Sequence, residues 1–247
     1  MPERPDDPEI ENDDLRIWER PEPKSRPAPS PLSRERIVRA AIGIADREGL
    51  AAVSLRNVGA ALDTGAMRLY GYISTKEELL DLMVDAVHGE MLRRGPPPGD
   101  WREALRAMAQ ATRQAALRHG WFADLLGGRP HQGPNALAHL EASLAALHGP
   151  PGFEDIDAVL LAARTVHAYV IGATRSEFSE RNAERESGLD KAGWQAANGP
   201  YIYRMIATGR FPTIARVVDK ATHPPDDVVF EQGLDLVLAG IAARLSG

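Results

Sequence analysis

The chain has 247 residues, 43% of them hydrophobic and 26% charged, with a formal net charge of −6 and no cysteine. That apolar content suffices for one large domain or two modest ones, and the absence of thiols excludes disulfides and thiolate chemistry. The opening MPERPDDPEIENDD is acidic and proline-broken, unlike a signal peptide. No apolar run approaches the roughly 20 residues that span a bilayer, so a soluble, cytoplasmic protein without a membrane partner is expected.

Charge is unevenly distributed along the chain. Residues 1–31 carry nine acidic against five basic side chains, together with eight prolines. So few apolar groups cannot offset the entropy of ordering, and this stretch reads as a disordered tail in which Ile17 and Trp18 are a stray anchor. Over 33–76 the balance reverses. Arg34, Arg36, Arg39, Arg47, Arg56, Arg68 and Lys76 outnumber Glu35, Asp46, Glu48 and Asp63 by three. A locally basic segment within an acidic chain supports a nucleic-acid partner.

Helical spacing begins at Ser33, an N-cap, and Ile37, Ala41, Ile44 and Ala45 repeat at that period until Gly49. Ser54 caps a second helix with Leu55, Val58 and Leu62 on its inner face. Asp63 stands where the chain must turn sharply, and aspartate tolerates the required backbone angles. A third helix is predicted over 65–72. Ser74-Thr75-Lys76-Glu77 then forms a capping box for a long fourth helix, with Leu79, Leu80, Met83 and Val87 on its apolar face. The Gly/Pro run 95–99 ends it.

Further helices are predicted over 100–118, 134–148, 155–178, 196–209 and 226–245, joined by Gly/Pro turns, with a loose polar loop over 179–195. No sustained period-two alternation argues for strands. The chain therefore reads as all-α. After the tail 1–31 come a three-helix helix-turn-helix DNA-binding domain over 32–78 and a helical ligand-binding and dimerisation domain over 79–247.

A recognition helix presents its N-terminal side chains to base edges while other groups hold phosphates. With Leu69 and Ile73 pointing inward, Thr64, Gly65, Ala66, Met67 and Arg68 lie at the exposed start of the third helix. Arg68 suits guanine O6 and N7, and Ala66 or Met67 suits a thymine methyl. Tyr70 and Tyr72 can donate hydroxyls to phosphate. Lys76 adds charge to the exposed N–H groups of the fourth helix, and Ser54 and Arg56 face the neighbouring backbone.

The segment LSRERIVRAAIGIADREGLAAVSLRNVGAALDTGAMRLYGYISTKEELLDLMVDAV resembles the DNA-binding domain of TetR-type repressors throughout. Its LY-x-Y block followed by a Lys-started helix ending in LLD is specific to that family. GGRPHQGPNALAHLEASLAAL and FEQGLDLVLAGIAARL are similar to the ligand-binding domain of the tetracycline-repressor branch, and the resemblance covers about 33–246. It implies DNA contacts at Arg56, Gly65, Ala66, Met67, Arg68, Tyr70, Tyr72 and Lys76. Asp63 in place of a turn glycine and Gly59 in place of an alanine depart from the family pattern, and both are expected to loosen the head slightly. The resemblance further implies a homodimer on a palindromic double-stranded operator, released by a small-molecule effector. In the tetracycline-binding members a histidine before the Arg-Pro turn helps to hold a drug-bound magnesium. Leu125 takes that place in ADLLGGRP, which argues against that effector.

Dimerisation is expected through 155–178 and 226–245, where bulky Val159, Leu160, Val166, Tyr169, Leu234, Val237 and Ile241 alternate with small residues. His119, Trp121, Phe122, Asn135, His139, His167 and Trp194 are candidate effector contacts by type and placement. The sequence points to no metal site and no cofactor: there is no histidine pair at helical spacing and no HExxH, GxSxG, P-loop or dinucleotide fingerprint. Asp226 and Asp227 read as N-terminal residues favouring a helix dipole. An enzyme is not expected. The alternative is a helical small-molecule-binding or interaction protein without DNA binding.

Overall fold

Capping side chains decide where most of the early helices begin. The computed structural model describes residues 15–23, 31–92, 100–127 and 131–245, and in these every regular element is a helix. Ser33 Oγ accepts from Arg36 N and opens α1 (Arg34–Glu48). A single 3₁₀ turn (Leu50–Ala52) follows Gly49. Ser54 Oγ then accepts from Asn57 N at 3.1 Å to open α2 (Leu55–Ala61). Asp63 takes the left-handed turn, φ 51°, as expected of it.

The recognition segment differs from its prediction. The third helix, α3 (Ala66–Leu69), is a single turn rather than a helix over 65–72. The N–H groups of Tyr72 and Ile73 both return to Leu69 O, at 2.8 and 3.0 Å, so the chain closes into tight turns instead of extending the helix. Thr75, not Ser74, caps α4 (Lys76–Leu92). Its Oγ1 accepts from Glu78 N, while Glu78 Oε2 accepts from Ser74 N at 2.8 Å, so Glu78 rather than Glu77 completes the box.

Contacts divide the chain into two units, 1–154 and 155–247. In the first, α1 packs on α2 and α4, and α2 on α3. The helices α5 (Trp101–Arg118), α6 (Gly120–Leu125) and α7 (Pro134–Leu147) complete it, with α4 against α5 and α7. Ile37, Leu69, Ile73, Leu79, Met83 and Phe122 are fully buried, so the apolar stripe expected for α1 and the inward pair Leu69 and Ile73 lie where the spacing put them. Sequence spacing did not foresee α6, which begins immediately after His119.

The second unit pairs α8 (Ile156–Ser187) with α11 (Asp226–Leu245), and includes α9 (Lys191–Ala207) and α10 (Pro212–Lys220). Val159, Ala162, Val166 and Val170 on α8 and Phe230, Leu234 and Leu238 on α11 are buried. The Tyr169 hydroxyl donates to Phe230 O at 2.7 Å. Two expectations are corrected here. The loop expected over 179–195 is helix on both sides of a three-residue turn. Ala, Glu and Arg in 178–187 are strong helix formers, Arg181 pairs with Glu177 at 2.7 Å, and Gly188 ends α8 in the left-handed region. In addition, α8 has 32 residues and an 18-residue window of mean hydropathy 1.4, enough by length and composition to cross a bilayer. Its apolar residues serve two surfaces, the α11 contact and an exposed stripe.

The segment expected to be a disordered tail lies outside the described residues at 1–14 and 24–30, but 15–23 is packed against the head. Ile17 is only 4% exposed, and Trp18 is half-buried. Two arginines fasten the arm. Arg20 donates to Ser74 Oγ at 3.1 Å and pairs with Glu78. Arg34 donates to the carbonyls of Arg20 and Pro21.

Candidate nucleic-acid interface

The helix-turn-helix presents a narrow outward face. Leu69 and Ile73 anchor α3 and its following turn in the core, and this leaves Met67 82% exposed, with Arg68, Gly65 and Tyr70 exposed beside it. Thr64 and Ala66 are partly covered. Lys76 is exposed at the start of α4, and Arg56 is exposed on the first turn of α2. Met67, Arg68, Gly65 and Tyr70 thus form one exposed face at the start of α3.

Two expected contact residues have other duties. Tyr72 is buried, 6% exposed, and its carbonyl accepts from Arg34 Nε at 3.1 Å. The tight turn after Leu69 rotates it inward beside Ile73. Ser54 Oγ accepts from Asn57 N to cap α2, and its own O–H can still donate to a phosphate.

Gly59 does not loosen the head. A Cβ there would stand 3.0 Å from Thr64 O and 3.2 Å from Ala66 N, so the glycine lets the start of α3 lie close against α2. Thr64 N closes the turn by donating to Gly59 O at 2.9 Å.

Behind this face, a polar cluster ties α1 to α6 and α4. Trp121 Nε1 donates to Asp46 Oδ1 at 2.7 Å, and His119 Nδ1 lies 2.9 Å from the same oxygen. His119 Nε2 faces Glu90 Oε2 at 3.3 Å, and Arg118 pairs with Glu90 at 2.8 Å. His119 and Trp121 are 5% and 4% exposed. Both are candidate effector contacts by sequence, and the polar atoms of both are hydrogen-bonded within this network, which joins α1 to α4 and α6.

A second polar cluster lies between α4 and α7. Asp85, 5% exposed, accepts from Asn135 N, Ala136 N and Asn135 Nδ2, each at 2.9 Å. Gly133, the residue before α7, has no side chain of its own to cap it, and the carboxylate on α4 supplies the cap across the interface. A Cβ on Gly133 would overlap that carboxylate. Asn135 is thus held as a structural partner. One helical turn on, the His88 ring meets Phe122 edge-on at 5.6 Å and His139 at 5.4 Å, so α4, α6 and α7 converge on an aromatic cluster.

His167 and Trp194 belong to the second unit. His167 stands on the outer side of α8, and partial desolvation lowers its pKa from the ordinary value. Trp194 lines a groove of about 510 Å³ with Glu177, Glu180, Glu184, Leu189 and Phe230. Among the described residues no group of three or more His, Asp and Glu side chains is placed to hold a metal ion.

Comparison with known proteins turns this geometry into an assignment. Residues 95–245 match the tetracyclin repressor-like C-terminal domain. The chain is 38% identical over 233 residues to the HTH-type transcriptional repressor DrrR1 of Streptomyces coeruleorubidus, covering 91% of this chain and 83% of that one. The chain belongs to the TetR family. Its fold is similar to apo ActR of Streptomyces coelicolor, with a TM-score of 0.74 and 29% identity over 89% of this chain and 99% of that one. ActR in complex with actinorhodin is similar at 28% identity and a TM-score of 0.73, over 88% of this chain and 100% of that one. As a TetR-family protein the chain is a ligand-responsive transcriptional repressor and not an enzyme.

Asp46, Glu90, Asp85 and His88 hold these clusters together, and spacing alone did not single them out. The available signal was in α4, where Asp85 and His88 interrupt the apolar run MVDAVH. A carboxylate on a buried face needs a partner, and this one has three donors.

Proposed function

We propose that this TetR-family repressor binds a palindromic operator as a homodimer and leaves it when a small aromatic molecule occupies the helices behind the head. In this reading 32–78 is the DNA-binding domain and 79–247 the ligand-binding and dimerisation domain, acting in the cytoplasm. The observation that carries the proposal is the outward face of α3, with Met67 at 82% exposure and Arg68 and Tyr70 open beside Lys76, on a helix pinned by wholly buried Leu69 and Ile73.

Arg68 pairs with a guanine edge and Met67 or Ala66 meets a thymine methyl, with Gly65 and Thr64 at the groove lip. Tyr70, Lys76, Arg56 and the hydroxyl of Ser54 hold phosphates. One head covers a single half-site, so two heads about 34–36 Å apart are required. The second unit supplies the means. Ile156, Leu160 and Leu161 on α8 and Val229 and Leu236 on α11 are exposed, with Leu236 at 76%. Two such helices from each subunit form a four-helix interface.

The effector reading rests on the Phe122–His88–His139 cluster and on the likeness to ActR bound to actinorhodin. Rings of this kind stack on a flat, polycyclic aromatic molecule. Its binding against α7 would move α4 through the Asp85 cap and α1 through the Asp46–His119–Glu90 network, changing the separation of the two recognition helices. A coupling of about 1–3 kcal/mol is sufficient. Gel-shift titration of the operator with and without a panel of polycyclic aromatics tests this. Release by a member of the panel is expected, and operator affinity indifferent to every small molecule that binds the protein would overturn it.

A further inference from the structure

The arm at 15–23 meets the head at the place where the proposed phosphate contacts cluster. After α3 the chain turns through 70–75 and re-enters helix at Lys76, so this connection sets where Tyr70 and Lys76 stand. It is held by few bonds of its own. Glu78 is the hub: its N–H donates to Thr75 Oγ1, its Oε2 accepts from Ser74 N at 2.8 Å, and its Oε1 is taken by Arg20 from the arm. Arg20 also donates to Ser74 Oγ at 3.1 Å.

Arg34, at the first position of α1, completes the other side. Its Nε donates to Tyr72 O at 3.1 Å, while its remaining nitrogens hold the carbonyls of Arg20 and Pro21, at 3.3 Å for the latter. Its backbone N–H donates to Glu22 Oε1 at 3.2 Å. Arm, α1 and the 72–78 connection are therefore stitched by two guanidinium groups, with Ile17 buried alongside them. The Arg20 and Glu78 side chains are 20% and 25% exposed, which shields the pair from solvent screening.

Charge gives the pair a second effect. Glu77 and Glu78 follow Lys76 directly, and uncompensated carboxylates there would repel the phosphates that Lys76 attracts. Arg20 cancels one of them.

We propose that Arg20 and Arg34 are positioning residues for operator binding: the arm clasps the 72–78 connection, fixing Tyr70 and Lys76 against the DNA backbone and neutralising Glu78. The clasp touches no DNA itself. It rests on the DNA-binding role proposed above for α3, and a control variant separates the two ideas.

The test uses the full-length chain and duplexes it selects from a randomised library about three helical turns long. Arg20→Ala is expected to weaken binding about tenfold to a hundredfold, a loss set by charge-assisted hydrogen bonds. Selected sequences stay the same, because the bases are read elsewhere. Arg34→Ala is expected to act in the same direction. Arg20→Lys keeps a cation beside Glu78 Oε1 and leaves the Ser74 N bond to Glu78 intact, and it is expected to return affinity to within about threefold of wild type. A variant that merely unfolded the head would not be rescued in this way, and circular dichroism at the assay temperature checks the fold.

Lys76→Ala is the control. If wild type binds and Lys76→Ala weakens it while Arg20→Ala and Arg34→Ala bind like wild type, the clasp is refuted and the DNA-binding reading stands. Loss in Arg20→Ala that Arg20→Lys shares in full also refutes the clasp. If wild type selects no duplex at all, both ideas fall.

Discussion

Replacing Asp46 by alanine is the most revealing perturbation of the coupling between head and ligand-binding helices. Its carboxylate receives Trp121 Nε1 at 2.7 Å and lies 2.9 and 3.1 Å from His119 Nδ1. A hydrogen bond to a charged group contributes about 1.5–3 kcal/mol, and a buried donor left without an acceptor costs about 1–3 kcal/mol. Trp121 is 4% exposed, so water does not replace the lost acceptor in full, whereas the Asp46 side chain is 30% exposed, which moves the sum toward the low end. A loss of about 2–4 kcal/mol follows, corresponding to a fall in Tm of about 5–15 °C for a chain of this length. Asp46→Asn keeps a carbonyl oxygen for Trp121 and is expected to lose less than half as much. Thermal unfolding of the three proteins at one concentration reads this directly. In the same variants, effector release of the operator is expected to weaken more in alanine than in asparagine. A Tm for Asp46→Ala within about 1 °C of wild type would refute the reasoning.

Other variants address separate parts of the account. Gly59→Ala places a methyl group 3.0 Å from Thr64 O and is expected to push α3 outward, lowering operator affinity about tenfold in gel shift while Tm falls by a few degrees. Asp85→Ala uncaps α7, and Gly133→Ala displaces the same carboxylate; both are expected to lower Tm by roughly 5–10 °C, measured calorimetrically, and the double variant should be less than additive. Leu236→Glu puts a charge on an α11 side chain that is 76% exposed and is expected to shift sedimentation from dimer toward monomer and to weaken operator binding with it.

Much of the head was legible because its signals are local. Ser33 and Ser54 cap the helices they precede, Asp63 turns the chain, and Leu69 and Ile73 fall inward by spacing alone. What escaped depends on partners distant in sequence. Asp46 meets residues 73 and 75 positions away, and nothing near it foretells a histidine and an indole. The same holds for Arg20 and Glu78, whose pairing turns part of a proline-rich tail into packed structure. The burial of Tyr72 follows from a one-turn helix and tight turns, which depart from the helical period that was assumed for it. The continuation of α8 through Ser187 was readable in principle. Its polar face was taken for a loop, although Ala, Glu and Arg favour helix irrespective of exposure.

The effector candidates show the same division. Phe122 and His139 converge with His88, which was not singled out, whereas His119, Trp121 and Asn135 are occupied by Asp46 and Asp85. Residue type drew attention to polar and aromatic groups, but only geometry shows that His119, Trp121 and Asn135 are hydrogen-bonded to Asp46 and Asp85 while Phe122 and His139 pack on His88.

The most direct test of the whole account is hydroxyl-radical footprinting on DNA selected from the native genome, with wild type and Arg68→Ala compared. The account predicts two protected patches on one side of the duplex, about 34–36 Å apart, flanking an inverted repeat, with Arg68→Ala retaining weak binding and losing preference at the same base in each half. A single patch, or an Arg68→Ala protein that selects the wild-type sequence unchanged, would contradict it.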